Sequence, residues 1–142
     1  MKTKRIFVYG SLMLGFYNYE KFLKGKTINQ VLEASIEGKL FHLSKKGYPA
    51  IIFGRDTIYG QVLDIIDNGK TFEKINQMEG IISPDNPKNE YNIETREVKF
   101  LDGRKEYLPV YIYNSTEDKI INNDLGIYIS SGDWKLYMMG KK

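Results

Sequence analysis

Short runs of β-branched and aromatic residues, separated by glycine, proline and aspartate, constrain the fold of this chain more than any other feature. Thr57–Ile65 alternates its side chains with the period of a strand. Ala50–Phe53 precedes it as a second apolar run, and Gly54-Arg55-Asp56 lies between the two. This pattern is typical of two strands joined by a turn, so it predicts a β-hairpin.

A second hairpin is predicted further along the chain. Tyr91–Leu101 alternates, Asp102-Gly103 forms a turn, and Leu108–Tyr113 returns as the partner strand. Thr71–Met78 instead spaces its apolar residues three apart, which predicts a short helix. Together with a buried strand at Ile6–Tyr9, the pattern favours six or seven strands and one or two short helices. The sheet is expected to be mostly antiparallel or mixed.

Length and charge narrow the classes of protein that this chain can belong to. Its 142 residues are expected to form a single domain over residues 1–142. Met1–Arg5 is basic, but the apolar run after it is too short for a signal peptide, and no stretch approaches the length of a membrane span. We therefore expect a cytoplasmic protein with no membrane partner. The net charge of +3 is spread along the chain, so nucleic-acid binding is not predicted.

The residues that usually perform chemistry are few. The chain has no cysteine and one histidine, which argues against zinc, copper or iron sites. His42 lies between Phe41 and Leu43 in an apolar strand, where a structural role is favoured over a catalytic one. No glycine-rich phosphate-binding motif is present. We therefore expect no zinc, copper or iron site and no nucleotide cofactor.

Two segments remain as candidates for function. The first is Tyr9-Gly10-Ser11-Leu12, where a strand ends in glycine and serine. Its backbone N–H groups either form an anion-binding concavity or belong to an ordinary turn. The second is Glu79, beside the apolar residues Met78, Ile81 and Ile82. Its carboxyl group either has the raised pKa of a general base or is a solvated glutamate at a helix end.

Six segments, in this order, resemble the gamma-glutamylcyclotransferase-like (AIG2-like) family. They match its N-terminal Tyr-Gly-Ser-Leu loop, a Tyr-Pro-Ala turn, a Gly-x-Val strand, a Glu-Gly segment, a Tyr-x-Arg strand and a Val-Tyr strand. A tail that ends in Trp134 also resembles bacterial members. The matching segments are Tyr9–Leu12, Tyr48–Ala50, Tyr59–Leu63, Ile75–Gly80, Tyr91–Val98 and Pro109–Tyr113.

The resemblance implies a fold and a reaction. The fold would be α+β, a small mixed, mostly antiparallel β-barrel with short peripheral helices. The reaction would cyclise a gamma-glutamyl group to 5-oxoproline and release an amine or amino acid, without a cofactor. Glu79 would act as general acid and base. The N–H groups of Gly10, Ser11 and Leu12 would hold the substrate carboxylate, with Tyr9, Tyr91 and Trp134 as walls and the Tyr91 hydroxyl as a further donor.

Some positions depart from the family pattern. The usual Leu-Asp is Ile75-Asn76 here, the loop Ile81–Asn89 is long, and Trp134 stands where some members have a tyrosine. An alternative is a non-catalytic module of the same fold that binds a small carboxylate or another protein. The leaving amine remains open, as does the choice between monomer and homodimer.

Overall fold

Six strands form one antiparallel sheet in the computed structural model, which describes residues 2–67 and 69–140. Along the sheet the order is β1, β3, β2, β4 and β5. Outside this order, β6 pairs with Phe41–Leu43 at the end of β2. The predicted sheet and its antiparallel character are confirmed. The strands are β1 Thr3–Val8, β2 Thr27–Leu43, β3 Tyr48–Ile66, β4 Tyr91–Phe100, β5 Lys105–Tyr113 and β6 Gly126–Tyr128.

Short helices lie between and after the strands. The helix predicted at Thr71–Met78 is confirmed as α1, and α2 (Glu117–Asn123) and α3 (Trp134–Met139) follow it. A single π-helical turn covers Tyr19–Leu23. Each of the three α-helices contributes one fully buried side chain to the core, and these are Ile75, Ile120 and Trp134 in turn. In the described part of the chain, no helix has the length and apolar character needed to cross a membrane.

The hairpin predicted around Gly54-Arg55-Asp56 is wrong. Tyr48–Ile66 is one strand that pairs with β2 on both sides of this segment, and the turn that joins the two strands covers residues 44–47. The register shifts within the ladder, because Gly38 pairs with Asp56 whereas Lys39 pairs with Ile52. Gly54 thus lies in a bulge.

Gly54 allows the backbones of β3 and β2 to approach each other closely. A Cβ atom added to Gly54 would lie 2.7 Å from the Cβ of Lys39 and 2.9 Å from the carbonyl oxygen of Gly38. No side chain fits at such distances without a shift of the strands. A glycine inside a strand marks either a turn or a close approach, and the sequence pattern alone does not separate the two.

The second predicted hairpin is confirmed. Tyr91 pairs with Tyr113 at its open end and Lys99 with Lys105 near its turn. This hairpin joins the rest of the sheet through a short ladder, in which Ala34 pairs with Phe100 and Ser35 with Lys99. Because so few positions are shared, the β4–β5 hairpin can fold over the face of the longer β2–β3 hairpin.

The resulting sheet is curled but not closed, so the predicted barrel needs correction. β1 and β5 are the two ends of the sheet, and the described strands show no ladder between them. Side chains join these ends instead. The Tyr9 hydroxyl donates a hydrogen bond to the carbonyl oxygen of Tyr111 at 2.6 Å. Arg5 pairs with Glu106 at 2.8 Å and with Asp64 at 2.7 Å.

The reassignment of Gly54 can be tested by substitution. Gly54→Ala places a methyl group against β2, so we expect the free energy of unfolding to fall by about 1–3 kcal/mol. The measurement is urea denaturation of the variant beside the wild type. Gly140→Ala is the control, because its added Cβ would have no contact closer than 3.6 Å. Equal stability of the two variants would contradict the close approach.

Candidate active site

A cavity lies where the ends of the curled sheet meet, and its unoccupied space, including the open mouth, is about 510 Å³. It collects the end of β1 and the loop after it, the start of β3, the end of α1 and the start of β4. Most of the residues singled out in the sequence therefore lie around one space. The lining includes Tyr9, Gly10, Ser11, Leu12, Tyr48, Pro49, Glu79, Glu90, Tyr91 and Tyr111.

The loop after β1 presents unpaired backbone N–H groups at this cavity. A turn shapes the loop, since the N–H of Met13 donates to the carbonyl oxygen of Gly10 at 2.9 Å. The side chain of Asn18 donates to the Ser11 hydroxyl oxygen at 2.7 Å and fixes its position. Within residues 2–67 and 69–140, no group accepts a hydrogen bond from the N–H of Gly10, Ser11 or Leu12. These donors are available to an anion.

Pro49 holds the loop in place from the other side. A Cβ at Gly10 would lie 2.5 Å from the Cγ of Pro49, so only glycine allows this contact without a shift. The carbonyl oxygen of Pro49 accepts a hydrogen bond from the Tyr91 hydroxyl at 2.6 Å. The family's Tyr-Pro-Ala turn is matched here by the first residues of β3, so the strand positions the loop rather than a turn.

Three buried tyrosines form the walls of the cavity. Their hydroxyl protons are used within the protein, because Tyr9 donates to the carbonyl of Tyr111, Tyr91 to that of Pro49, and Tyr111 to the Asn76 side chain at 2.5 Å. Burial raises the pKa of all three hydroxyls, which keeps them neutral. The expectation that the Tyr91 hydroxyl is free to donate to a ligand therefore needs correction.

Glu79 is the carboxylic acid at the end of α1, where its N–H donates to the carbonyl oxygen of Ile75 at 2.8 Å. Its side chain faces the cavity, and no described residue donates a hydrogen bond to it. Burial, followed by the negative charge of Glu90, raises the pKa of Glu79 to about 8. This favours the acid/base interpretation over that of a solvated helix-end glutamate.

Glu90 is a second carboxylate at the cavity that the sequence analysis missed. The Tyr48 hydroxyl and the Lys46 ammonium group, the latter at 2.8 Å, both donate to its Oε2 atom. Burial lowers the pKa of Lys46, but its hydrogen bonds with Glu90 and Tyr113 outweigh this and raise the pKa overall. Glu90 directly precedes a predicted strand and has no periodic signal, so only the tertiary structure reveals its position.

Trp134 is not among the residues that line the cavity, contrary to the sequence-based expectation. It is completely buried, and its indole N–H donates to the Nδ1 atom of His42 at 3.1 Å. Its ring centroid lies 5.1 Å from that of Phe16. Trp134 therefore attaches α3 to β2, and His42 has the structural role that the sequence favoured.

The described residues also bear on the question of a metal site. In the part of the chain that the structure describes, no group of three or more histidine, cysteine, aspartate or glutamate residues could hold a metal ion. The polar groups that the described residues present at the cavity include the Glu79 carboxyl group, the loop N–H groups and the Glu90 carboxylate.

A family model described as "Gamma-glutamyl cyclotransferase, AIG2-like" matches residues 6–136. The chain belongs to this family. The match runs from β1 into α3, so it includes every element that borders the cavity. A search of curated proteins finds no match.

Solved structures show the same fold. YkqA from Bacillus subtilis superposes with a TM-score of 0.66 and 25% identity, over 97% of this chain and 42% of its own. An uncharacterised protein from Pyrococcus horikoshii superposes with a TM-score of 0.61 and 26% identity, over 96% of this chain and 93% of its own. An AIG2-like protein from Mus musculus superposes with a TM-score of 0.65 and 16% identity, over 83% of this chain and 82% of its own. At this identity the similarity concerns the fold alone. The chain thus spans less than half the length of YkqA.

The raised pKa of Glu79 predicts that its ionisation lowers the free energy of unfolding. Between its ordinary value of 4.5 and about 8, the folded protein holds a proton that the unfolded chain releases. The free energy of unfolding of the wild type therefore falls as the pH rises through this window. Glutamine cannot ionise, so Glu79→Gln should be more stable than wild type above pH 8, by on the order of 1–2 kcal/mol.

The measurement is chemical denaturation of both proteins across this pH range. Glu73→Gln is the matched control, because Glu73 is exposed on the same helix. Its stability relative to wild type should not change systematically with pH. A Glu79→Gln variant that gains no stability as the pH rises would show that the carboxyl group is not desolvated.

Proposed function

We propose that the protein is a gamma-glutamylcyclotransferase-type enzyme that converts a gamma-glutamyl group to 5-oxoproline and releases an amine or amino acid. One observation supports this most strongly. A carboxyl group with a pKa of about 8 and three unpaired backbone N–H groups line the same cavity. Family membership supports the same class of reaction.

The substrate has two charged groups that these features can recognise. Its alpha-carboxylate would accept hydrogen bonds from the N–H groups of Gly10, Ser11 and Leu12, as anions do at backbone concavities. Its alpha-ammonium group would face Glu79. The tyrosine walls would confine the gamma-glutamyl chain in a bent pose that brings its amine close to its own side-chain carbonyl.

The reaction needs no external nucleophile. Glu79 in its ionised form accepts a proton from the alpha-ammonium group, and the free amine attacks the gamma-carbonyl carbon. A new C–N bond closes the five-membered ring, and Glu79 gives the first proton to the leaving nitrogen as the original amide C–N bond breaks. The ring nitrogen loses a second proton when it becomes the lactam N–H, and Glu79 passes this proton to the released amine as well. The amine therefore leaves as an ammonium ion, and Glu79 is again ionised. Atoms and protons balance without water, metal or cofactor.

The pKa of Glu79 suits both proton transfers. Alpha-amino groups titrate near ~8, so a carboxyl group with a similar pKa accepts their proton at little free-energy cost. The same group then donates readily to a leaving nitrogen. A positioned general acid or base of this kind typically accelerates a reaction by about 10² to 10⁴-fold.

Other properties remain predictions. The identity of the leaving amine is open, and the cavity features described here recognise only the gamma-glutamyl part. A cytoplasmic location, the absence of nucleic-acid partners, and a monomeric or homodimeric state are proposed from the sequence.

Release of 5-oxoproline tests the proposal directly. A panel of gamma-glutamyl amino acids and gamma-glutamyl amines is incubated with wild type, Glu79→Gln and the control Glu73→Gln, and the product is measured by mass spectrometry. We expect turnover of at least one donor by wild type and by the control, and a loss of about 100-fold or more in Glu79→Gln. Unchanged turnover in Glu79→Gln would refute the role of this residue. Ligand binding without turnover of any donor would favour the non-catalytic alternative.

The pH dependence of kcat/KM tests the same residue in a second way. Only ionised Glu79 can accept the ammonium proton, so kcat/KM should rise with pH, with a midpoint near the pKa of about 8, and level off above it. The measurement is initial rates at low substrate concentration across this range. An ascending limb with a midpoint near the ordinary value of 4.5 would contradict the desolvation of Glu79.

A further inference from the structure

The two oxygen atoms of the Glu90 carboxylate have different surroundings. Oε2 accepts hydrogen bonds from the Lys46 ammonium group and from the Tyr48 hydroxyl. Among residues 2–67 and 69–140, no group donates to Oε1. The protein therefore holds Oε2, while Oε1 remains available to accept a hydrogen bond. Glu90 also lines the cavity, so a ligand there can reach it.

A backbone hydrogen bond brings Glu90 and its Oε1 atom next to Gly80. The N–H of Glu90 donates to the carbonyl oxygen of Gly80 at 3.0 Å, and Gly80 directly follows Glu79. A Cβ at Gly80 would lie only 3.3 Å from Oε1. The unoccupied oxygen therefore lies next to the residue that follows the proposed acid/base.

The side chains that line the cavity offer no cationic donor for this oxygen. None of the residues that line it is a lysine or arginine, and the protons of the buried wall tyrosines are used by protein acceptors. The Lys46 ammonium group, which does reach Glu90, is bound to Oε2. A ligand that enters the cavity can supply a donor for Oε1. Next to a second carboxyl group, a cationic nitrogen is the donor that the local charge favours.

We propose that Glu90 binds the ammonium group of the ligand through Oε1 and positions it for Glu79. This rests on the proposed function, which supplies a ligand with an alpha-ammonium group. The two carboxyl groups then have separate tasks: Glu90, anchored by Lys46 and Tyr48, holds the nitrogen, and Glu79 exchanges the proton. This makes Glu90 a binding residue for the amine, as the loop N–H groups are for the carboxylate.

Binding of a matched pair of compounds tests this without any turnover. L-glutamate carries the alpha-ammonium group, and glutarate is the same molecule without it. We measure the affinity of both by isothermal titration calorimetry, for wild type, Glu90→Gln and Glu94→Gln. Glu94 is a partly exposed glutamate on β4, the strand that begins directly after Glu90, and it pairs with Arg96. We expect wild type and Glu94→Gln to prefer L-glutamate over glutarate by roughly tenfold to a hundredfold. Glu90→Gln should lose most of this preference while it still binds glutarate.

Lys46→Met separates ligand binding from a purely structural role of Glu90. It removes the ion pair but leaves the carboxylate and its hydrogen bond from Tyr48, so the preference for L-glutamate should persist. Loss of the preference in Lys46→Met as well as in Glu90→Gln would assign the effect to the ion pair and overturn the proposal. A full preference in Glu90→Gln, or no preference in wild type, would overturn it too. Because neither compound is a gamma-glutamyl amide, these outcomes are independent of whether 5-oxoproline is released.

Discussion

The candidate active site depends on the hydrogen bond from the Tyr9 hydroxyl to the carbonyl oxygen of Tyr111. This bond joins the first strand of the curled sheet to the last, where the described strands show no backbone ladder. A buried donor without an acceptor would cost about 1–3 kcal/mol, so the two ends of the sheet are firmly held in this arrangement. Tyr9 directly precedes the loop with the unpaired N–H groups, and Tyr111 lines the opposite wall. The same interaction therefore holds the two ends of the open sheet together and sets the width of the cavity.

The distribution of hydrogen bonds within the cavity explains what it can recognise. The wall tyrosines donate to protein carbonyl and amide oxygens, and so they contribute shape and a low-dielectric surface rather than donors. Among the described residues that line the cavity, the loop N–H groups, the Glu79 carboxyl group and Oε1 of Glu90 have no hydrogen-bond partner. The cavity thus contains both donors and acceptors that a ligand can use. A small ligand with a carboxylate and an ammonium group would be complementary to these groups, whereas a simple dianion would leave Oε1 of Glu90 without a donor.

The sequence predicted the antiparallel sheet, the β4–β5 hairpin and α1, because alternation and helical spacing are local signals. It failed at Gly54, since a bulge and a turn share the same residue types. It led to Glu79 and the loop through their resemblance to a family, but a pKa depends on burial that no local pattern records. Glu90 was missed because its partners Lys46 and Tyr48 lie more than 40 residues away in the chain. Trp134 was misplaced for the same reason, since only its contact with His42 decides where α3 docks.

The separation of Tyr9 and Tyr111 along the chain has a consequence for folding. The β2–β3 hairpin, closed by the turn at residues 44–47, can form from contacts that are close in sequence. The bond between Tyr9 and Tyr111 joins residues 102 positions apart, and closing so long a loop has a larger entropic cost. Local hairpins can therefore reach a native arrangement before the cavity exists. An intermediate of this kind would have most of its secondary structure and still lack a binding site, so ligand binding would report on the last stage of folding.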